Sequence, residues 1–586
     1  MVRAGIFIGV DQTGNLQKLK DAAAGAQRMH AWAIAQGMVD QTHARLITDR
    51  GGKTVDPNKI YDAIKEIIDG PGVDQLIVYF AGHGVNINRG EQWLLTEAPV
   101  RTNAAVNLKG SVDLAQYSGI KHVVFFSDAC RVAPDGIQAG NVRGTEIFPN
   151  DSSSDVSNPV DQFFACGLGK TAAELKDPAV AAGNFSALYT DALLAALEGD
   201  ASEAFNPEPP TDPNWRYVGT ATLRDYLAKE VPKRVISKKL TGKVNQNPDA
   251  IVIASRNWIS RLPRGGTSSI PVFAPSPPPP TLQNVASALV NSTIAGVAPI
   301  ERTATRGLKG VGTPATDLER EIFDAAKVIE PPFGPDHFET EWGIKVRGAR
   351  VTDVFASRVA NLERLGEHLV RIQRKNESSV SVLLHFDNDT CAVVPAIHGY
   401  LAALTFEEGE LVDVAYEPAT TNHRWRPYQQ KMEKLRRLRA VIAAATGNGY
   451  FRLDEANAFS LARQMQYEKS IDPTLSVYAA YAYYDLQRKD IIREMAGYLQ
   501  RDINATLFDL MLLGRRLVDR EVKPQDHIVP FFPLLSQGWA LLDSNRVKRH
   551  PVLRKIESKM KSSLWTLFDG GAFAPLKETI ERGDAL

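Results

Sequence analysis

Over its first 262 positions the chain sets short, continuously apolar runs between longer amphipathic ones. The runs GIFIGV (5–10), ARLIT (44–48), LIVYF (76–80), VVFF (123–126), FFACG (163–167) and AIVIA (250–254) are predicted as strands. Between the first two, Leu16, Leu19, Ala23, Ala26, Met29 and Ala33 recur three or four apart, which predicts a helix with one apolar stripe. DPNKIYDAIKEIIDG (56–70) has an Asp to cap the first turn, Pro at the first helical position and Gly at the end. SALYTDALLAALEG (186–199) is a further predicted helix. Strands apolar on both faces that alternate with helices predict an α/β fold, a mostly parallel sheet flanked by helices.

Beyond residue 262 the pattern breaks. PRGGTSSIPVFAPSPPPP (263–280) has proline at six of its last ten positions, the composition of an extended, semi-rigid spacer. The expected organisation is an α/β domain over 1–262, a Pro-rich linker over 263–282, a partly irregular, β-rich module over 283–424 and an all-helical region over 425–586. In the β-rich module, SVSVLLHF and TCAVV flank a DND turn, and LAALTF and LVDVAYEP flank EEGE, which predicts two hairpins. DPTLSVYAAYAYYDLQRKDIIREMAGYLQR (472–501) opens on an Asp-Pro start signal and predicts a helical hairpin. It has no clean second copy, so no repeat array is expected.

Composition sets boundaries. At 586 residues the chain is too long for a single core. Lys+Arg and Asp+Glu balance at 68 each, so no global field draws the chain to nucleic acid or to a membrane surface. The three cysteines, Cys130, Cys166 and Cys391, cannot make a disulfide framework, which suits a reducing cytoplasm. MVRAGIFIGV is too brief for a secretory signal, and no apolar run reaches the roughly 18 residues of a membrane span. A cytoplasmic protein with no membrane span is expected.

Chemistry gathers at the ends of two predicted strands. LIVYF runs into AGHGVN, which puts His83 between Gly82 and Gly84 just past a strand's carboxyl end. VVFF runs into SDACRV, which puts Cys130 in the same relation to the next strand, 47 positions later. Ligands of open parallel sheets bind at that edge. A thiolate is a nucleophile, and a nearby imidazole can act as base and then protonate a leaving amine. Glycines beside the histidine let a substrate backbone approach. The N–H groups of Gly84 and Cys130 are the candidate oxyanion donors, each worth about 3–4 kcal/mol in comparable sites. The competing reading makes His83 a satisfied loop histidine and Cys130 a packed core thiol.

YFAGHG and SDACRV resemble the histidine and cysteine motifs of the caspase-like cysteine peptidases, the clan of caspases, metacaspases and bacterial orthocaspases. The resemblance covers 1–262 and implies a caspase-like fold with His83 as general base and Cys130 as nucleophile. Caspases carry glutamine two residues before the cysteine, whereas metacaspase-like members carry an aspartate that lines a pocket for arginine or lysine. Asp128 stands there in this chain and implies cleavage after Arg or Lys, with capping of local backbone N–H groups as its structural alternative. Metacaspases usually add a second pocket acid from an Asn-Asp pair on the first helix. Ala24 and Gly25 occupy those positions, which leaves Asp11 as the substitute. The family's acidic calcium cluster is not evident, so neither metal nor cofactor is expected.

The stretch 131–160 has no clear apolar pattern, and Arg143-Gly144 is its best basic site for self-cleavage. Expected partners are a protein substrate and an activating protein or ligand at the C-terminal region, in the manner of bacterial caspase-like proteins that couple protease and sensor in defence or cell-death systems. The rival class is a non-catalytic caspase-fold scaffold whose C-terminal half binds partners. His385, Cys391 and His398 fit no zinc spacing and are expected in the core. The basic run 546–561 is expected on a solvated helix face, and Cys166 in a buried strand.

Overall fold

The computed structural model describes residues 1–264, apart from 40–41, 71, 88–89, 130–140, 151–156, 167–177, 207–211, 213 and 238–247, and residues 340–584, apart from 358–359, 375–377, 448–449 and 454. The chain divides into two compact units, Met1–Pro278 and Pro279–Leu586. The expected linker and the irregular start of the second block lie, from residue 265 onward, outside the described residues.

The first unit is built on a six-stranded sheet. Its members are β1 (Arg3–Gly9), β2 (Ala44–Thr48), β3 (Gln75–Gly82), β7 (His122–Ala129), β8 (Val160–Phe164) and β10 (Asp249–Ile251). They lie in the order β10-β8-β7-β3-β1-β2, all parallel except the edge strand β10. β1, β3 and β7 are buried at every position, which is why their central residues run apolar without alternation while the polar ones sit at their ends. Helices α1 (Ala22–Ala35), α4 (Pro178–Glu198) and α5 (Thr220–Ser237) cover one face, with Phe7, Tyr79 and Phe126 in the core beneath them. Helices α2 (Pro57–Asp69) and α3 (Leu108–Ala115) cover the other, over Ile8, Val78, Phe80 and Phe125. The Asp56 carboxylate accepts from the Lys59 N–H at 3.1 Å, with Pro57 at the first helical position, as its sequence foretells. Apart from the main sheet, β9 (Trp215–Gly219) and β11 (Trp258–Pro263) pair as an antiparallel ribbon.

Two features leave no trace in the apolar pattern. A three-stranded antiparallel sheet, β4 (Gly84–Ile87), β5 (Gly90–Leu94) and β6 (Ala105–Asn107), begins directly after His83. A buried polar chain also ties the amino-terminal ends of the main strands. His122 Nε2 lies 2.8 Å from Asp161 Oδ2, and its Nδ1 lies 2.9 Å from Gln75 Nε2. The other Asp161 oxygen accepts from the Ile253 and Ala254 N–H groups at 2.6 and 2.9 Å. These polar groups satisfy one another at the amino-terminal edge, opposite the carboxyl-terminal edge where the sequence places His83 and Cys130.

The second unit pairs β-structure with helices around one hydrophobic core. A five-stranded sheet runs β14 (Ala360–Leu365), β15 (Leu369–Arg374), β12 (Gly343–Arg347), β18 (Tyr400–Glu407), β19 (Glu410–Pro418). A second sheet runs β13 (Val351–Ala356), β16 (Ser379–Phe386), β17 (Thr390–Ile397), and then the two-residue strand Phe568–Asp569. Both predicted hairpins form, as β16–β17 and β18–β19. Helices α6 (Trp425–Ala444), α7 (Glu455–Glu468), α8 (Thr474–Asp485) and α9 (Lys489–Ile503) come next, and α8–α9 is the helical hairpin expected over 472–501. The C-terminal region is helical but not wholly so: Phe568–Asp569 pairs with Thr390 and Cys391, a strand too short to leave a period in the sequence. Among the described residues no helix is long and apolar enough to cross a membrane.

Candidate active site

β3 and β7 lie side by side in parallel register, with Ala81 opposite Asp128 and Gly82 opposite Ala129. His83 and Cys130 come immediately after this last pair in sequence. Cys130 lies outside the described residues, so its side chain and its N–H enter only through that relation.

His83 is half-buried, and its Nε2 lies 2.8 Å from the carbonyl oxygen of Gln17, in the loop between β1 and α1. A carbonyl can only accept, so Nε2 carries a hydrogen, and in the neutral ring the lone pair is on Nδ1. Burial lowers the ring's pKa from the ordinary 6.5, partly opposed by the Gln17 hydrogen bond. The Gln17 hydrogen bond favours a ring protonated at Nε2, and burial favours its neutral form, in which Nδ1 is the basic atom. The main-chain oxygen of His83 accepts from the Leu94 N–H at 2.9 Å. Gly84 begins β4, buried and opposite Trp93.

Asp128 sits at the end of β7 but beneath the surface, 2% exposed. Its Oδ2 accepts from the Thr190 hydroxyl of α4 at 2.5 Å, and that hydroxyl lies 2.6 Å from Tyr79 Oη. Burial raises the Asp128 carboxyl well above the usual carboxylate range, and the Thr190 hydrogen bond offsets this only in part. Gly25 on α1 has no side chain for a packing reason, since a Cβ there would lie 2.9 Å from Tyr79 Oη. The helix thus makes room for Tyr79 and Thr190 where the resemblance leads one to expect an acid.

Asp11 comes soon after β1 and is partly exposed. Its Oδ1 accepts from the Ala23 N–H at 2.9 Å, holding the first turn of α1. Arg143 and Gly144 lie beside β6, not in an open linker. The Arg143 N–H donates to Thr102 O at 2.7 Å, the Gly144 N–H to Gln92 Oε1 at 2.9 Å, and the Thr145 N–H to Ala105 O at 2.9 Å. A Cβ on Gly144 would lie 2.5 Å from the Asn107 nitrogen. The remainder of the stretch, 131–140 and 151–156, is outside the described residues.

Cys166 differs from its expectation. It falls just past β8, which ends at Phe164, and is half-buried with Sγ 3.5 Å from the Ala129 carbonyl oxygen. The strand ends two residues before the cysteine, although the apolar run continues through Ala165. Cys391 is buried on β17, and burial pushes its thiol up to about 12. His385 Nδ1 lies 3.0 Å from the Thr352 hydroxyl, and His398 meets Trp342 edge-on at 5.8 Å. Among the described residues no three His, Cys, Asp or Glu side chains gather as a metal site. In the basic run, Arg546 pairs with Asp519 and Arg549 with Glu557.

Sequence reasoning missed the Gln17 carbonyl, a backbone group with no side-chain signature. It also missed Thr190, whose predicted helix was apparent but whose neighbour across the sheet was not.

No protein-family model matches the chain, and no curated protein matches it. Among solved structures, protein GSU0716 from Geobacter sulfurreducens is similar at 14% identity with a TM-score of 0.27, over 44% of this chain and 93% of that one. Likeness at this level says nothing about function.

Proposed function

We propose that the chain is a caspase-like cysteine endopeptidase in which Cys130 attacks the scissile carbonyl and His83 is the base. The observation that carries this reading is the geometry of His83: a half-buried imidazole oriented through Nε2 by Gln17, with Nδ1 free of that bond and burial favouring the neutral ring. It stands one residue beyond the Gly82–Ala129 pair that precedes Cys130 on the adjoining strand. Nucleophile activation needs such a base within hydrogen-bond reach. In the first step the Cys130 sulfur bonds to the carbonyl carbon and its proton passes to His83. The imidazolium then protonates the amine as the peptide C–N bond breaks, and water hydrolyses the thioester.

The finer claim is cleavage after Arg or Lys. Asp128 is buried, and Thr190 already holds one carboxylate oxygen, so it serves this claim only if a cationic side chain reaches the other. An entering guanidinium or ammonium favours the ionised carboxylate, so substrate binding and deprotonation of Asp128 are coupled. The second unit, a separate compact body, is assigned to regulation or substrate recruitment in a cytoplasmic defence or cell-death system. The test is hydrolysis of short fluorogenic peptides by the native chain and by Cys130→Ala. Cleavage that survives the substitution refutes the assignment.

A further inference from the structure

The hairpin that begins after His83 is fastened to the strand that leads to Cys130 by a buried group of three side chains. Ser127 stands three residues before Cys130, and its hydroxyl donates to Glu91 Oε1. The indole Nε1 of Trp93 lies 2.9 Å from that same oxygen and 2.9 Å from Ser127 Oγ. Exposure is 5% at Glu91, 0% at Trp93 and 1% at Ser127, so water does not compete for these bonds. Trp93 stacks on Phe80 of β3 with ring centres 4.7 Å apart and planes 6° apart. The next residue, Leu94, holds the His83 carbonyl. A continuous path therefore runs from the His83 main chain through Leu94 and Trp93 to Glu91 and Ser127, and along β7 toward Cys130.

We infer that Glu91 and Ser127 are positioning residues that fix the His83 hairpin against β7 and thereby set the imidazole–thiol separation. The inference rests on the endopeptidase reading and adds to it the device that holds base and nucleophile in register. The parallel ladder ends at Gly82 and Ala129, so it does not by itself hold the chain beyond His83. The Glu91–Ser127 and Trp93–Ser127 hydrogen bonds tie the hairpin to the strand beside an otherwise apolar contact. Displacement of reacting groups by about 1 Å can cost up to about a hundredfold in rate.

The test uses the full chain and two readouts. One is the pH dependence of iodoacetamide alkylation at Cys130, followed by mass on the peptide that contains it, which separates it from Cys166. The other is kcat and KM on a fluorogenic peptide. In the native chain the alkylation midpoint is expected below the ordinary thiol value of about 8.5. Ser127→Ala and Glu91→Ala are expected to move it toward that value and to lower kcat at least about tenfold, with KM within about twofold. Glu91→Gln keeps an acceptor oxygen and is expected to stay near native in both. Alanine variants that melt within a few degrees of the native chain and keep its midpoint and kcat overturn the inference. Should they fail to fold, Ser127→Cys, nearly isosteric but a weaker hydrogen-bonding group, decides on kcat alone, because its own thiol shares the Cys130 peptide: a fall of at least about tenfold supports the positioning role, and a native kcat refutes it. A native chain with an ordinary Cys130 midpoint and no hydrolysis refutes the endopeptidase reading and the positioning role together. Native activity with unaffected variants refutes the positioning role alone.

Discussion

His83 Nε2 lies 2.8 Å from the main-chain oxygen of Gln17, a residue 66 positions earlier in the chain. That contact fixes the tautomer, and burial holds the ring below 6.5. A base works only while neutral, so activity is lost as pH falls through the His83 pKa. The acid limb of kcat/KM is expected below pH 6.5, and His83→Gln is expected to lower kcat/KM by about 10²–10⁴. A limb above 6.5, measured on the native chain, contradicts the assignment of His83 as the half-buried base that works in its neutral form.

Asp128 has the opposite sign. Its carboxyl is raised by burial in the fold, whereas in the unfolded chain it titrates near 3.9. Its contribution to stability is full below about pH 3.9 and is lost as pH rises through the raised native value. Asp128→Asn keeps an acceptor for Thr190 and removes this cost. Its melting temperature is expected to equal or exceed the native one at pH 7–8, and the advantage should shrink toward pH 4. A variant markedly less stable at neutral pH would show that the ionised carboxylate is favoured in the fold. The same variant is expected to lose discrimination for Arg and Lys over Ala at the cleavage position.

The α/β core was legible because its strands are buried on both faces: Ile77, Val78, Tyr79 and Phe80 leave little but a parallel sheet as an explanation. The placement of His83 at the carboxyl edge is legible in its motif for the same reason. The sequence does not disclose which side chains meet across the fold. Asp128 reads as a pocket acid in one dimension, yet the sheet's pleat turns it toward Thr190 and Tyr79. The start of α1 is hidden in the same way: Leu16 and Leu19 keep helical spacing but precede Ala22, where the helix begins, because the loop carrying them packs its own apolar residues. Ser127 and Glu91 meet only because the hairpin folds back over β7, and no local pattern encodes that.

The Arg143–Gly144 bond is held beside β6 on both sides, so self-cleavage there requires the segment to leave its hydrogen bonds first. Gly144→Ala, for which there is no room, is expected to release the segment and to speed cleavage after Arg143. Intact mass over time reads both chains. A cut that is as slow or as fast in the variant as in the native chain contradicts this control, and no cut in either removes Arg143 as a processing site.

Because the two units are separately compact, removing 283–586 is expected to leave the Cys130–His83 site formed while changing kcat/KM on a protein substrate. Steady-state kinetics on a protein and on a short peptide distinguish recruitment from regulation: recruitment alters only the protein substrate, regulation alters both. Unchanged kinetics on both substrates contradict either role for the second unit.

The Cys130–His83 assignment stands or falls with fluorogenic peptides ending in Arg, Lys, Asp or Ala, offered to the native chain and to Cys130→Ala, each with and without 283–586. The expected result is hydrolysis after Arg and Lys that disappears with Cys130. Hydrolysis after another residue keeps the enzyme and removes the Asp128 pocket. Failure to cleave any of the four, in the full and the shortened chain alike, contradicts the claim that this site is an endopeptidase.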